Sequence, residues 1–166
     1  ADATKSIIIG TDKDTDGGLY AFDLNGKIIA KSEVLKRPNN VDIAYGLLID
    51  GKKVDVAVTT ERESNKIRIF SLPDLKPIDN GGIAVFDGEL ERDPMGIALY
   101  TRSSDNAIFA IVGRKSGPSE TYLWQYQLTD AGTGKARANV VRKFGKYSGK
   151  KEIEAIAVDN ELGVLY

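Results

Sequence analysis

Residues 54–62 read VDVAVTTER, an apolar, β-branched run that ends on a charged pair. Such a run is typical of a β-strand, because β-branched side chains fit a pleated, half-buried surface. Two other stretches share this form, IIIGTDK at 7–13 and AIFAIVGRK at 107–115. The basic residues at the ends of the three runs are Lys13, Arg62 and Lys115. They lie about 50 residues apart, which predicts a repeated structural unit.

Three further kinds of run complete the repeat. An alternating aromatic run follows each of the first kind, at 18–23, 66–71 and 121–128. Another apolar run precedes it, at 41–48, 96–100 and 153–158, and a more polar run follows at 27–32 and 137–144. No segment shows helical periodicity over three turns. Four strands in each repeat are typical of a β-propeller blade. We therefore expect an all-β chain of about three four-stranded antiparallel blades.

The ends of the sequence bear on domain organisation. The chain begins at the second strand of one repeat and ends inside the apolar run at 162–166. About three blades cannot close a ring, since propellers usually have about four to eight. We therefore expect residues 1–166 to be a single partial domain, a fragment without the first strand and the last blades. An open β-sandwich, or two copies paired edge to edge as a homodimer, would also fit.

Composition excludes several kinds of chemistry. The chain contains no Cys and no His, which rules out disulfides, thiolate catalysis, imidazole metal sites and a Ser-His-Asp triad. Any metal would be held by oxygen ligands, which favours Ca²⁺ or Mg²⁺. The 23 basic and 24 acidic residues nearly balance, which argues against a general nucleic-acid or membrane-surface partner. No apolar stretch reaches the roughly 18 residues that span a bilayer.

The basic residues at the strand ends are the first candidate site. Strands of one kind in successive blades stand side by side, so their equivalent ends converge on one face. Lys13, Arg62 and Lys115 would then form a positive rim suited to phosphate or carboxylate groups. Strand ends also commonly carry charges that contact only solvent, and the repeat alone leaves both interpretations open.

Acidic and amide residues give three weaker candidates. Residues 12–17 read DKDTDG, the first half of a calcium loop, but strands flank it and a solvated turn is favoured. Glu154 interrupts the apolar run at 153–158 and would need a cation if buried, although alternation also allows it to face outward. Asn39, Asn40 and Asp42 could be ligands, and we favour turn and capping groups.

The order of several short motifs resembles that of the β-propeller phytases. These motifs are GTDK at 10–13 with the run at 18–23, NNVD at 39–42, GKKVD at 51–55, TER at 60–62, GIALY at 96–100 and EAIAVD at 154–159. The resemblance implies a six-bladed propeller that hydrolyses inositol phosphates such as phytate. In that family several calcium ions are used and a metal-bound water attacks phosphorus. The resemblance also implies a secreted or periplasmic location.

The same resemblance implies roles for individual residues. Lys13 looks like the family's phosphate-binding lysine and Arg62 like its phosphate-binding arginine. Lys115 looks like the lysine after the third blade's strand, although Arg114 could take that role. Glu154 looks like an active-site carboxylate that contacts calcium. Lys13 and Glu154 are thus the catalytic candidates, and Glu154 is the candidate metal ligand.

Two departures from the family motivate an alternative function. Met95 stands where the better-studied members carry Tyr, and Ser116 where they carry an acidic residue. The Asp-Asp-Pro segment that precedes the family's first strand is also absent from the sequence. We therefore expect the chain to lack a complete catalytic site. The alternative is a non-catalytic propeller module that binds an anionic ligand or a protein partner.

Overall fold

A computed structural model describes residues 2–146 and 153–166. Within these ranges the regular structure is β-strand, apart from one 3₁₀ turn at Ala3–Lys5, so the prediction of an all-β chain is confirmed. The strands are β1 (Ile8–Asp12), β2 (Gly18–Phe22), β3 (Ile28–Lys31), β4 (Pro38–Ile49), β5 (Lys52–Glu61), β6 (Lys66–Ser71), β7 (Lys76–Pro77), β8 (Ile83–Ala84), β9 (Pro94–Thr101), β10 (Ile108–Arg114), β11 (Leu123–Gly132), β12 (Lys135–Phe144), β13 (Val158–Asp159) and β14 (Val164–Leu165). No helix in the described ranges is long and apolar enough to cross a membrane.

The strands form antiparallel sheets that follow one another along the chain. The first sheet has the order β1-β2-β3, and the second has the order β4-β5-β6-β7, with β8 also paired to β6. The third sheet contains β9, β10, β11 and β12 in chain order, and β13 pairs with β14. Each sheet is therefore a meander of consecutive strands, the arrangement that short connections produce.

The connection between β2 and β3 illustrates the local chemistry. One carboxylate oxygen of Asp23 accepts from the backbone N–H groups of Asn25 and Lys27, each at 2.9 Å. Gly26 has a φ of 79°. The Asn-Gly pair predicts a type I′ turn with two positive φ values, but Gly26 alone of the pair has one. Because the Asp23 side chain fixes the loop, the chain turns without the strained conformation at Asn25.

The second sheet is buried on both faces, and β5 shows why its sequence is almost continuously apolar. Val56 and Val58 belong to the large core cluster shared with the third sheet. Ala57, between them, belongs to a smaller cluster shared with Leu19 and Ala21 of the first sheet. Alternate residues of one strand thus pack against different neighbours. Each fully buried aliphatic side chain contributes about 1.5–3 kcal/mol.

The first strands of the second and third sheets, β4 and β9, lie side by side. The Asp42 carboxylate accepts from the Leu99 backbone N–H at 2.7 Å, and Asn39 at the start of β4 contacts Met95 at the start of β9. The two strands therefore begin at the same end of the molecule. β5 and β10 run antiparallel to them, so both end there. The candidate residues that follow β5 and β10 consequently lie at one end of the sheets, hereafter the rim.

Candidate functional site

Lys13 and Glu154 meet at the rim although 141 positions separate them. The Lys13 Nζ donates to the Glu154 Oε1 at 3.2 Å, and the two side chains are 53% and 54% exposed. The Asn40 amide donates to the Glu154 backbone carbonyl at 3.1 Å and holds this segment in place. The carboxylate faces outward, as the alternation allowed. An exposed ion pair of this kind is worth about 0–1 kcal/mol, so an incoming anion can displace it.

A glycine explains how the segment around Glu154 comes so close to the third sheet. A Cβ built on Gly96 of β9 would lie 2.7 Å from the Glu154 carbonyl oxygen. Only a residue without a side chain permits this approach, because real Cβ atoms do not come so near a backbone oxygen. Gly96 therefore helps to place Glu154 beside Lys13.

Arg62 and Lys115 are joined through Asp93. The Arg62 Nε lies 4.0 Å from the Asp93 Oδ1, beyond hydrogen-bond distance, and the arginine side chain is 19% exposed. The backbone N–H of Lys115 donates to the Asp93 carbonyl at 3.0 Å. The Lys115 side chain is exposed and forms no ion pair with any residue that the structure describes. The end of β5 and the end of β10 thus meet at one acidic residue.

The rim therefore contains two neighbouring groups, Lys13 with Glu154 and Arg62 with Lys115. Thr60 connects them, since its hydroxyl donates to the Met95 carbonyl at 2.7 Å and lies 3.4 Å from the Asn40 backbone nitrogen. No hydrogen bond or ion pair in the described ranges joins Lys13 directly to either of the other two cations. The three positive charges lie at the same end of the sheets and have separate supports.

Arg114 takes a different position from its neighbour Lys115. Its side chain is 0% exposed. The Nη1 donates to the Glu89 carboxylate and to the Glu91 carbonyl, both at 3.2 Å. The Nη2 donates to the Thr121 carbonyl at 3.0 Å. Of the two adjacent basic residues, only Lys115 presents its charge to solvent.

A second buried arginine, Arg68, lies on β6 and pairs with Thr59 near the end of β5. Arg68 contacts Asp79 at 2.8 Å, Glu61 at 3.7 Å and Glu33, and Glu61 also accepts from the Lys36 backbone N–H at 2.8 Å. Burial acts to lower the pKa of Arg68, but the hydrogen bonds to Asp79 and Glu33 outweigh it and raise the pKa overall. The guanidinium stays charged and ties the segment before β4 to the end of β5.

The amide and thioether groups beneath the rim are mostly used in packing. Asn40 and Asp42 lie within β4 and make the hydrogen bonds between segments described above, so they are not the turn and capping groups that the sequence favours. Met95 is buried, with its sulfur 3.5 Å from the Asn39 amide nitrogen. The Asn39 Oδ1 is buried and has no hydrogen-bond partner among the described residues. Met95 therefore lies below the rim and not on its surface.

The acidic turn after β1 binds its own backbone. The Asp12 carboxylate accepts from the Asp14 N–H at 3.3 Å, and the Asp14 carboxylate accepts from the Thr15 N–H at 2.8 Å. Within residues 2–146 and 153–166, no three acidic side chains are grouped so that they could hold a metal ion. The carboxylate of Glu154 pairs with the ammonium group of Lys13. The described residues do not by themselves fit a calcium ion.

Asp93 is the rim residue that the sequence interpretation missed. It directly precedes Pro94, which begins β9, and so stands at the end of the sheets where β5 and β10 finish. That position was a usable signal, because the repeat already predicts where β9 begins.

Comparison with known proteins identifies the family of the chain. The family model for phytases matches residues 1–166, and the chain belongs to the phytase family. The predicted resemblance is thereby confirmed. Among individual relatives, the chain is 32% identical over 168 residues to the 3-phytase of Bacillus subtilis (strain 168). The match covers 98% of this chain and 41% of that protein, so the chain spans less than half the length of its relative.

Proposed function

We propose that this chain supplies the phosphate-binding side of the active site in a phytase-like phosphomonoesterase that acts on inositol phosphates. The observation that carries the proposal is the convergence of Lys13, Arg62 and Lys115 at one end of the sheets. An inositol phosphate presents several dianionic groups at once, and separately supported cations suit such a ligand. Membership of the phytase family supports the same substrate class.

The fold proposed with this function is a partial six-bladed β-propeller, with residues 1–166 as one partial domain. The first, second and third sheets are its blades. The stacking of the second sheet between its neighbours and the parallel first strands β4 and β9 support this assignment. A secreted or periplasmic location belongs to the proposal through the family resemblance.

Each rim residue has a distinct role in this proposal. Arg62 is held loosely by Asp93 and offers its planar fork to two phosphate oxygens. Lys115 offers a compact charge beside it. Lys13 exchanges its exposed contact with Glu154 for a phosphate oxygen, which frees the carboxylate. The sequence also allows Arg114 as a phosphate ligand. Because the Arg114 side chain is enclosed, Lys115 is the residue proposed to contact phosphate directly.

Calcium enters the proposal through the family, where it neutralises charge and activates water at the phosphate. Glu154 is the rim carboxylate proposed as one ligand and as a catalytic residue. The described residues place no set of three carboxylates around it, so a complete site requires other ligands. What this chain contributes directly is the binding and orientation of the phosphate groups by its cations.

Binding of inositol hexakisphosphate tests the proposal on the chain itself. Isothermal titration should show that Arg62→Ala weakens binding about tenfold, since a charge-assisted hydrogen bond is worth about 1.5–3 kcal/mol. Arg102→Ala is the matched control, because Arg102 follows β9 at the opposite end of the sheets and pairs with Asp105. Equal loss of affinity in both variants would show non-specific charge attraction and contradict the proposal.

Turnover separates the enzyme from a non-catalytic module that binds an anion. Buried Met95 and the absence of a grouped set of acidic ligands in the described ranges favour this second candidate. Phosphate release should be measured on the full-length protein, with calcium and with a chelator. Release that requires calcium supports the phosphomonoesterase, whereas tight binding without release supports the binding module.

A further inference from the structure

We infer that Arg114 is a positioning residue, whose buried guanidinium fixes the loop that sets the spacing between Arg62 and Lys115. The inference rests on the proposed function, because it concerns how the phosphate-binding rim is built. It assigns to Arg114 a role other than direct contact with phosphate. The loop is residues 86–93, which connects the second sheet to β9.

The guanidinium of Arg114 is enclosed from two directions. Its Cζ lies 4.9 Å from the centre of the Phe86 ring and 5.9 Å from that of Tyr122. A Cβ built on Gly117 would overlap the guanidinium, so the chain after Lys115 closes over it. Stacking between rings suits a planar, weakly hydrated cation, and arginine meets this requirement better than lysine.

The hydrogen bonds of Arg114 reach two separate segments. One terminal nitrogen contacts Glu89 and the Glu91 carbonyl in the loop before β9. The other contacts the carbonyl and the hydroxyl of Thr121, at 3.0 and 3.3 Å, in the segment before β11. One side chain therefore fastens together the two segments that flank the end of β10.

Both segments hold residues of the rim. Asp93 lies two positions beyond Glu91, and it accepts from the Lys115 N–H and faces Arg62. Tyr122 follows Thr121, and its hydroxyl donates to the Lys115 carbonyl. Lys115 is thus held at its N–H and at its carbonyl by groups whose positions depend on Arg114. Loss of the guanidinium should let both supports move. The distance between Arg62 and Lys115 should then change.

A direct phosphate contact by Arg114 would require the side chain to leave this enclosure. It would then abandon Glu89, two backbone carbonyls and two aromatic rings. Strand alternation explains the inward direction of the side chain, because Arg114 lies two positions after Val112, whose side chain belongs to the large core cluster. The register shift beside it lies in β9, where Met95 and Gly96 stand opposite the single residue Gly113.

The first experiment measures affinity for inositol hexakisphosphate by titration calorimetry. Arg114→Met keeps much of the side-chain volume and removes the guanidinium. We expect it to weaken ligand binding about tenfold, because small errors in the position of a binding group strongly reduce its contribution. Lys115→Ala should lose a similar amount. Ile108→Ala is the matched control, since Ile108 is buried in the same strand at the opposite end. This control should lower the melting temperature and leave affinity unchanged.

A double-mutant comparison separates positioning from direct contact. In a chain that already carries Arg62→Ala and Lys115→Ala, Arg114→Met should cause no further loss of affinity, because nothing remains for it to position. A further loss in that background would show that Arg114 itself binds phosphate and would overturn the inference. An affinity for Arg114→Met equal to that of Ile108→Ala would overturn it as well.

Two additional measurements keep the inference testable if the first variant or the ligand fails. If Arg114→Met does not fold, Glu89→Gln removes the charged partner at the loop surface, and we expect an affinity loss of about threefold in the same direction. If the unmodified chain does not bind the ligand, the proposed function fails. Amide hydrogen exchange then still decides the inference: Arg114→Met should speed exchange in residues 86–93 and 115–122 more than Ile108→Ala does.

Discussion

The basic side chains lie in two different environments, one exposed to solvent and one buried. Lys13, Arg62 and Lys115 face solvent or lie near it, whereas Arg114 and Arg68 are buried with acidic partners. An exposed cation can exchange partners with a ligand, but a buried one holds neighbouring segments because leaving its partner unpaired is costly. The repeat in the sequence predicts the exposed cations. It does not distinguish Arg114 from Lys115, because every residue of β10 is buried and the loop at 86–93 that encloses Arg114 is distant in sequence.

Arg68 gives the clearest stability prediction at this scale. Arg68→Met would leave the buried Asp79 and Glu61 carboxylates without their cation, and we expect the free energy of unfolding to fall by about 3–5 kcal/mol. The raised pKa of Arg68 means that the stabilisation is present at pH values below the ordinary arginine pKa and is lost only as the pH rises above it. Urea unfolding at pH 6 and pH 9 should therefore give the same difference. Arg137→Met, on an exposed residue, is the control and should change stability little.

Asp105 gives a prediction about pH at the opposite end of the sheets. Hydrogen bonds from Arg102, and then from the Ala107 N–H, lower the pKa of Asp105 to about 2. A lowered folded-state pKa stabilises the protein above the ordinary value of 3.8, and this contribution disappears as the pH falls from 3.8 towards 2. A carboxyl NMR titration should find the midpoint near 2. Arg102→Ala should return it towards 3.8, and an unchanged midpoint would contradict the assignment.

The strands predicted from the sequence agree most closely with the observed strands where both faces of the strand are buried. The aromatic run at 66–71 is β6, and VDVAVTTER lies almost wholly within β5. The fourth strand of the second sheet could not be recognised, because Pro77 lacks an N–H and Asn80, Gly81 and Gly82 all have positive φ values. The apolar run at 153–158 forms a strand only at Val158–Asp159, where its partner β14 is equally short.

Gly96 connects an element to the site and yields a testable substitution. Gly96→Ala should push the segment at Glu154 away from β9, break the contact with Lys13, and reduce stability by about 1–3 kcal/mol. Gly10→Ala is the matched control, because a Cβ there would meet only the Phe22 ring at an ordinary 3.5 Å. Thermal unfolding and hydrogen exchange of residues 153–159 measure the two effects. Similar behaviour of the two variants would rule out this role for Gly96.

At the scale of the whole molecule, apolar residues remain exposed at both ends of the row of sheets. Ile8, Ile28 and Ile29 lie on the first sheet, and Val164 and Tyr166 lie at the opposite end of the chain. The two core clusters account for the middle of the row, whereas these side chains are 40–70% exposed. Such patches commonly mark association surfaces. The edge-to-edge homodimer expected from the sequence as one alternative stays a prediction.

The dimer can be tested by light scattering. We expect the 18.0 kDa chain to show twice that mass as its concentration rises, and Ile28→Lys with Ile29→Lys to restore the monomer by placing charges in the contact. Leu90→Lys, on a fully exposed loop residue elsewhere, is the control and should leave association unchanged. A monomer at every concentration would remove this alternative.

The contact between Lys13 and Glu154 also has a consequence for how the chain folds. It closes a loop of 141 positions, and the entropy of closing so long a loop must be overcome by contacts that form earlier. The stacking of the second sheet on its two neighbours provides those contacts. We expect this corner of the rim to assemble last during refolding. An anion bound there would make contacts that form only after the folding transition state, so it would slow unfolding more than it speeds folding.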